Sequence, residues 1–158
     1  MNKVVVFQVQ NEQYAIPVEH VISIEKMDAP TLIPNMPDYM VGVVRIREEL
    51  TPVLDTTRIL YNRPFTPTDR TRLVVVMADG LSVAFIVDDA KEIIDIPEKA
   101  IKQVNMLAYR QTTYFIGIAN LPERLITIID PKKWFASLEG SDAIKQHVQK
   151  MEGSNHNT

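Results

Sequence analysis

With 158 residues, a net charge of −3 and no cysteine, the chain has room for one domain or for two small subdomains sharing a core. The missing cysteines exclude disulfides, thiolate metal sites and thiol nucleophiles, and mild acidity without a Lys/Arg block argues against nucleic acid or an anionic membrane as the main partner. No apolar run approaches the ~18 residues of a membrane span, and MNKVVVFQVQ starts a strand at once without a small-residue cleavage site, so a cytoplasmic location is expected.

Val and Ile together number 34, which favours strands. Residues 4–9 form an apolar run, broken by a turn at 10–12 and resumed at 14–16, which predicts a hairpin. Pro17 opens a short helical turn over 17–21, and 22–27 reads as a strand. Residues 28–37 hold three prolines and form a loop. After a hairpin at 39–55, Asp55 caps a helical turn over 56–61, and 62–72 is the strongest linker candidate. Residues 73–77 and 83–87 make a second hairpin about 78–80; Asp88 caps a short turn, 93–96 is a strand, and 97–101 is a helical turn with Pro97 first. Another hairpin spans 114–129, Asp130 caps a helix over 132–138, and Gly140 stops it. In a last helix at 141–151, Ile144, His147, Val148 and Met151 share the face that docks on the body. One domain therefore covers 1–152, and the polar residues 153–158 form a disordered tail.

The chain is organised as a repeat. YMVGVVRIREELTPVLDTTRIL, residues 39–60, slides by 75 onto YFIGIANLPERLITIIDPKKWF at 114–135, with Tyr39, Gly42, Glu48, Leu50 and Asp55 unchanged and most other positions trading one apolar residue for another. The preceding part repeats more faintly at an offset of 69, with Ala15 on Ala84, Val18 on Val87, Glu19 on Asp88 and Ile24 on Ile93. A doubled unit of short strands fits two small β-barrels side by side, the first over about 13–65 and the second over about 70–135. Tyr39 and Tyr114 recur in the repeat and are read as structural.

Catalytic signatures are missing. His20, His147 and His156 are scattered and show no metal-ligand spacing, the serines lack a nucleophile-elbow context, and no glycine-rich phosphate loop occurs. Asp88-Asp89 is the one adjacent acid pair of note and reads as a helix cap. No enzyme activity, cofactor or metal is expected.

Four motifs in order, VVVFQVQNEQYAIPVEHVISIEKM, LIPNMPDYMVGVVRIREELTPVLD, LSVAFIVDDAKEIIDIP and YFIGIANLPERLITIIDPKKW, resemble the CheW family, the coupling proteins of bacterial chemotaxis, across residues 3–138. The resemblance implies an all-β fold of two intertwined five-stranded SH3-like barrels with short helical turns and a C-terminal helix. It implies a non-catalytic adaptor, recruited to membrane-associated receptor arrays, that joins the cytoplasmic tip of methyl-accepting chemoreceptors to the regulatory domain of the histidine kinase CheA. By the same resemblance, a receptor-binding groove between the barrels is walled by Val21, Ile22, Ile24, Val87, Ala90 and Ile94, with Arg47 beside it. Kinase contacts fall at Gly42, Val44, Arg45, Glu48 and Gly117. Arg45 and Glu48 replace the Asn and Gly of the family's Asn-Leu-Arg-Gly turn, which costs about 1 kcal/mol if the backbone is kept. Two alternative readings are a small-molecule sensor using the groove as an apolar pocket and a stand-alone regulator of another histidine kinase. An open channel favours a helical partner, and a closed deep pocket favours a ligand.

Overall fold

The computed structural model describes residues 2–103 and 114–156. Its order is β1 (Asn2–Val9), β2 (Glu12–Pro17), a 3-10 turn (Val18–His20), β3 (Val21–Lys26), β4 (Met40–Ile46), β5 (Glu49–Asp55) and α1 (Thr56–Tyr61). It continues with β6 (Arg72–Ala78), β7 (Leu81–Val87), β8 (Asp89–Ile96), a 3-10 turn (Glu98–Ala100), β9 (Ile101–Lys102), β10 (Phe115–Leu121), β11 (Arg124–Ile129), α2 (Pro131–Ser137) and α3 (Ser141–His156).

Local chemistry sets the turns. The two-residue loops Gln10-Asn11 and Asp79-Gly80 have positive φ at both positions, as hairpin turns matched to strand twist require. The Asp55 carboxylate accepts the Arg58 amide at 3.1 Å and caps α1; left-handed Asn62 ends it. Asp130 accepts the Lys132 and Lys133 amides at 3.0 and 3.2 Å and caps α2, which Pro131 opens.

The strands form a six-stranded sheet, β8-β1-β2-β11-β10-β9, and a five-stranded one, β3-β6-β7-β5-β4. Each half lends its first hairpin to the other. The parallel pair β5–β7 sets Val53 against Ala84, and β11–β2 sets Ile128 against Ala15, which is the same pair after the sequence offsets. Likewise Ile24 faces Val74 where Val5 faces Ile93. The bulges coincide too: one between Met40 and Gly42 matches one between Phe115 and Gly117. The two halves are thus intertwined by reciprocal strand exchange.

Alternation puts apolar side chains on both faces of these strands, so β6 and β7 read as nearly continuous hydrophobic runs. One face of each sheet lines its own small core: Val53, Leu73, Val75, Ala84 and Ile86 in the five-stranded sheet, Val4, Val6, Ala15, Ile126 and Ile128 in the six-stranded one. The other faces meet in a large central cluster that includes Phe7, Tyr14, Val76, Phe85, Trp134 and, from α3, Ile144 and Val148.

The all-β class and the two intertwined halves match expectation, and five details differ. The sheets have six and five strands, and their hydrogen bonding does not close a barrel among the described residues. They curl instead: Ile22 on one edge strand and Val41 and Val44 on the other pack on the same inner cluster. The spans 13–65 and 70–135 cut across both sheets, because strand exchange gives residues 21–87 to one sheet and 2–17 with 89–129 to the other. Asp88 caps no turn; β8 starts at Asp89, and the Asp88 carboxylate instead accepts the Gln10 amide at 2.8 Å. α3 runs on to His156, past the expected end at 151, and takes in residues 153–156 of the expected tail; residues 157–158 lie outside the described part. The expected linker is also tied down, with the Phe65 amide donating to Asp55 at 3.1 Å and its ring half-buried against the five-stranded core.

Candidate functional site

The sharpest chemical feature of the surface is the turn joining β4 and β5. Arg47 and Glu48 both take left-handed backbone, with φ of 51° and 69°, and the Arg45 guanidinium donates to the Glu48 carbonyl at 3.3 Å. All three side chains are exposed, so the turn carries charge out from the end of the five-stranded sheet. Glu48 thus takes a left-handed conformation of the kind glycine favours. The equivalent turn of the other half, Pro122-Glu123, has positive φ at Glu123, and its proline fixes the preceding residue on the negative side.

Gly42 and Gly117 are buried beneath this surface. A Cβ on Gly42 would stand 2.4 Å from the Thr31 carbonyl oxygen, and one on Gly117 would stand 2.7 Å from that of Lys102. In both halves a neighbouring segment crosses at this point, bridging Thr31 to Val43 and Lys102 to Ile118. Their recurrence is thereby explained by close backbone approach. Val44 is half-buried and packs inward on the five-stranded core.

The expected groove residues do not share one surface. Val87 is fully buried in the central cluster, so it is core and not a groove wall. Val21 is half-buried against that cluster, Ile22 against the five-stranded core, and Ile94 against the six-stranded core. Ala90 lines a polar cleft of about 570 Å³ with Glu92, Glu123 and Arg124. Ile24 is 42% exposed on the edge strand β3. Its counterpart in the repeat, Ile93, is 56% exposed on the edge strand β8 and was not among the expected site residues. The offset of 69 that aligns the two would have found it. β8 also touches β6, the neighbour of β3, so both edges border the same seam.

Polar chemistry here is structural. Arg124 ties β11 to β8 and β2 through Glu92 at 2.7 Å and Gln13 at 2.7 and 2.9 Å. Burial raises the phenols of Tyr14 and Tyr114 and pushes Tyr39 up to about 12, with Asp38 and Glu139 adding to the effect. Tyr14 and Tyr61 share a hydrogen bond, and the Tyr39 hydroxyl donates to the Glu139 carbonyl at 2.8 Å. The described residues hold no group of three His, Asp or Glu able to bind a metal. No described helix is long and apolar enough to cross a membrane. A cavity of about 760 Å³ lies between Tyr39, Arg58 and Glu139; an apolar one of about 390 Å³ lies between Val4, Ile101, Ile116 and Ile128.

The model of the CheW-like domain matches residues 3–139. The chain is 35% identical over 129 residues to the chemotaxis protein CheW of Bacillus subtilis (strain 168), covering 81% of this chain and 83% of that protein. It is 28% identical over 136 residues to the chemotaxis protein CheW of Klebsiella aerogenes, covering 85% and 81%. The crystal structure of the scaffolding protein TtCheW from Thermoanaerobacter tengcongensis superposes with a TM-score of 0.77 at 27% identity, over 88% of this chain and 90% of that one. With this fold, this match over residues 3–139 and these relatives, the chain belongs to the CheW-like domain family.

Proposed function

We propose that this chain, a chemotaxis scaffold by family, acts without catalysis by joining chemoreceptor tips to the regulatory domain of CheA in receptor arrays on the cytoplasmic side of the membrane. The observation that carries the site assignment is the exposed end of the β4–β5 hairpin, where left-handed Arg47 and Glu48 and the strand residue Arg45 present two guanidinium groups and a carboxylate. Arg47 is the principal contact. Arg45 and Glu48 flank it, and the exposed Ile24 on the edge strand β3 offers apolar surface on which a helix face can lie. Gly42 and Gly117 act indirectly by allowing the strands beside them to approach. Contacts of this kind reach micromolar affinity, about −8 kcal/mol each, and array multivalency strengthens them.

Arg47→Ala is expected to weaken capture of receptor-tip or CheA regulatory-domain fragments while leaving the unfolding midpoint in place, because the side chain is exposed. Unchanged capture of both fragments removes Arg47 from the site.

A further inference from the structure

Among the described residues, the relation between the two halves reveals a helix seat that one half fills and the other leaves open. In the first half, Leu50 of β5 and Gly80, Leu81 and Ser82 around the β6–β7 turn line a cleft with Val148 and Glu152 of α3. The Glu152 carboxylate accepts the Leu50 amide, and Lys145 pairs with Asp79 at 2.7 Å. Leu50 and Val43 are 9% and 4% exposed and share the central cluster with Ile144 and Val148 of α3.

Shifting these positions by the repeat offsets gives Leu125 of β11 and Asn11, Glu12 and Gln13 at the β1–β2 turn, which line a cleft of about 380 Å³. Here Leu125 is 63% exposed and Ile118, the counterpart of Val43, is 37% exposed. The register places them diagonally on one face of the β10–β11 hairpin. α3 follows α2, whereas α1, the counterpart of α2, is followed by residues 62–71 leading to β6, so among the described residues the repeat supplies no second helix of this kind.

We propose that this second seat receives an amphipathic helix from a partner protein, laid as α3 lies on the first. The helix carries two aliphatic residues one turn apart, for Ile118 and Leu125, and Lys or Arg on its flank. The basic flank follows from the rim: Glu12 stands where the first seat has Leu81, Glu123 is exposed beside it, and the Arg124 guanidinium is already engaged by Glu92 and Gln13. A second copy fits poorly, since its own α3 has Ile144 and Val148 fully buried and α1 and α2 are only 6 and 7 residues long. The seat uses neither Arg47 nor the edge strands β3 and β8; it adjoins Gly117 of β10, whose part is the close approach of the neighbouring backbone, so peptide binding here is read separately from capture of receptor and kinase fragments.

The probe is a synthetic peptide of residues 141–152 carrying Gln149→Lys, which sets an ammonium over Glu12 because Gln149 lies beside Leu81 in the first seat. It is titrated into the full chain labelled with ¹⁵N. Amide shifts should gather at residues 11–13 and 118–127. Leu125→Asp should weaken binding by about tenfold or more, and Glu12→Lys by a few-fold, both with unchanged circular dichroism. Shifts centred on residues 49–50 and 80–82 would mean exchange with the chain's own α3 and would overturn the proposal. No binding at millimolar peptide would also overturn it, as would a dimer in sedimentation that Leu125→Asp converts to monomer.

Discussion

The five-stranded and six-stranded halves share a backbone plan but fill it differently. Registers, bulges and the glycine beneath each hairpin coincide, while the helix that follows each hairpin docks with unlike side chains. Trp134 of α2 stacks on Phe85, with ring centroids 4.3 Å apart and planes 3° apart, and packs on Tyr114 at 5.9 Å. The corresponding residue of α1 is Ile59, half-buried, and the counterpart of Phe85 is Ile16. What the halves share is therefore what strand exchange requires of the backbone, and what they do not share marks where stability and binding have been specialised.

The most severe way to break the comparison is at Trp134. Trp134→Ala should lose about 3–5 kcal/mol, because it empties a fully buried site and strips the stack from Phe85. Ile59→Ala should lose about 1–2 kcal/mol, since its side chain is only half-buried. Urea melts of the two variants test this; equal losses would mean that α1 and α2 anchor their halves alike. At the glycines the order depends on distance. Gly42→Ala drives a methyl to 2.4 Å from a backbone oxygen and Gly117→Ala to 2.7 Å, so losses of about 2–3 and about 1–2 kcal/mol are expected. A harmless Gly42→Ala would show that the Thr31 segment moves aside freely.

Much of this plan was legible in the sequence because duplication fixes faces and turns together. Asp55 and Asp130 announced caps, Tyr39 and Tyr114 announced shared structure, and their carbonyls do accept the Asp55 and Asp130 amides at 2.7 and 2.8 Å. The exchange of hairpins was not legible from the repeat. A repeat says which strands correspond, and pairing β2 with β11 or with β5 satisfies the same apolar alternation. The resemblance put Val87 on a groove wall, yet it lies on a strand whose two faces are both buried, and only the packing shows the central cluster against it. Asp88 resembles a cap locally, yet its partner, the Gln10 amide, lies 78 residues away.

Alkaline titration probes the seam where the halves meet. A phenol whose folded pKa is raised stays neutral in the fold, so its contribution is complete below the ordinary value of 10.0 and falls as pH rises beyond it. For Tyr39 the window is pH 10 to about 12; Tyr14 and Tyr114 shift in the same direction. Urea midpoints should hold to about pH 10 and then drop. Tyr39→Phe should lower stability at neutral pH by about 1 kcal/mol, through loss of the hydrogen bond to Glu139, and flatten the alkaline decline. A decline unaltered in Tyr39→Phe would place the titration elsewhere.

The smallest expected effect separates conformation from charge at the two hairpin turns. Glu48 and Glu123 occupy the same position of the repeat with φ of 69° and 70°, so each bears the crowding of a left-handed Cβ. Glycine relieves that crowding in the folded state and adds freedom to the unfolded one, leaving a net gain of about 0.5 kcal/mol at either site. The stabilities of Glu48→Gly and Glu123→Gly should then agree. Binding should not: Glu48 follows Arg47 and its carbonyl accepts from Arg45, so removing its carboxylate changes the charge offered to receptor and kinase fragments, whereas Glu123 follows Pro122 in a turn without those arginines. Equal binding by the two variants would show that the first turn is no more specialised than the second, and would return the site to the seam between the sheets.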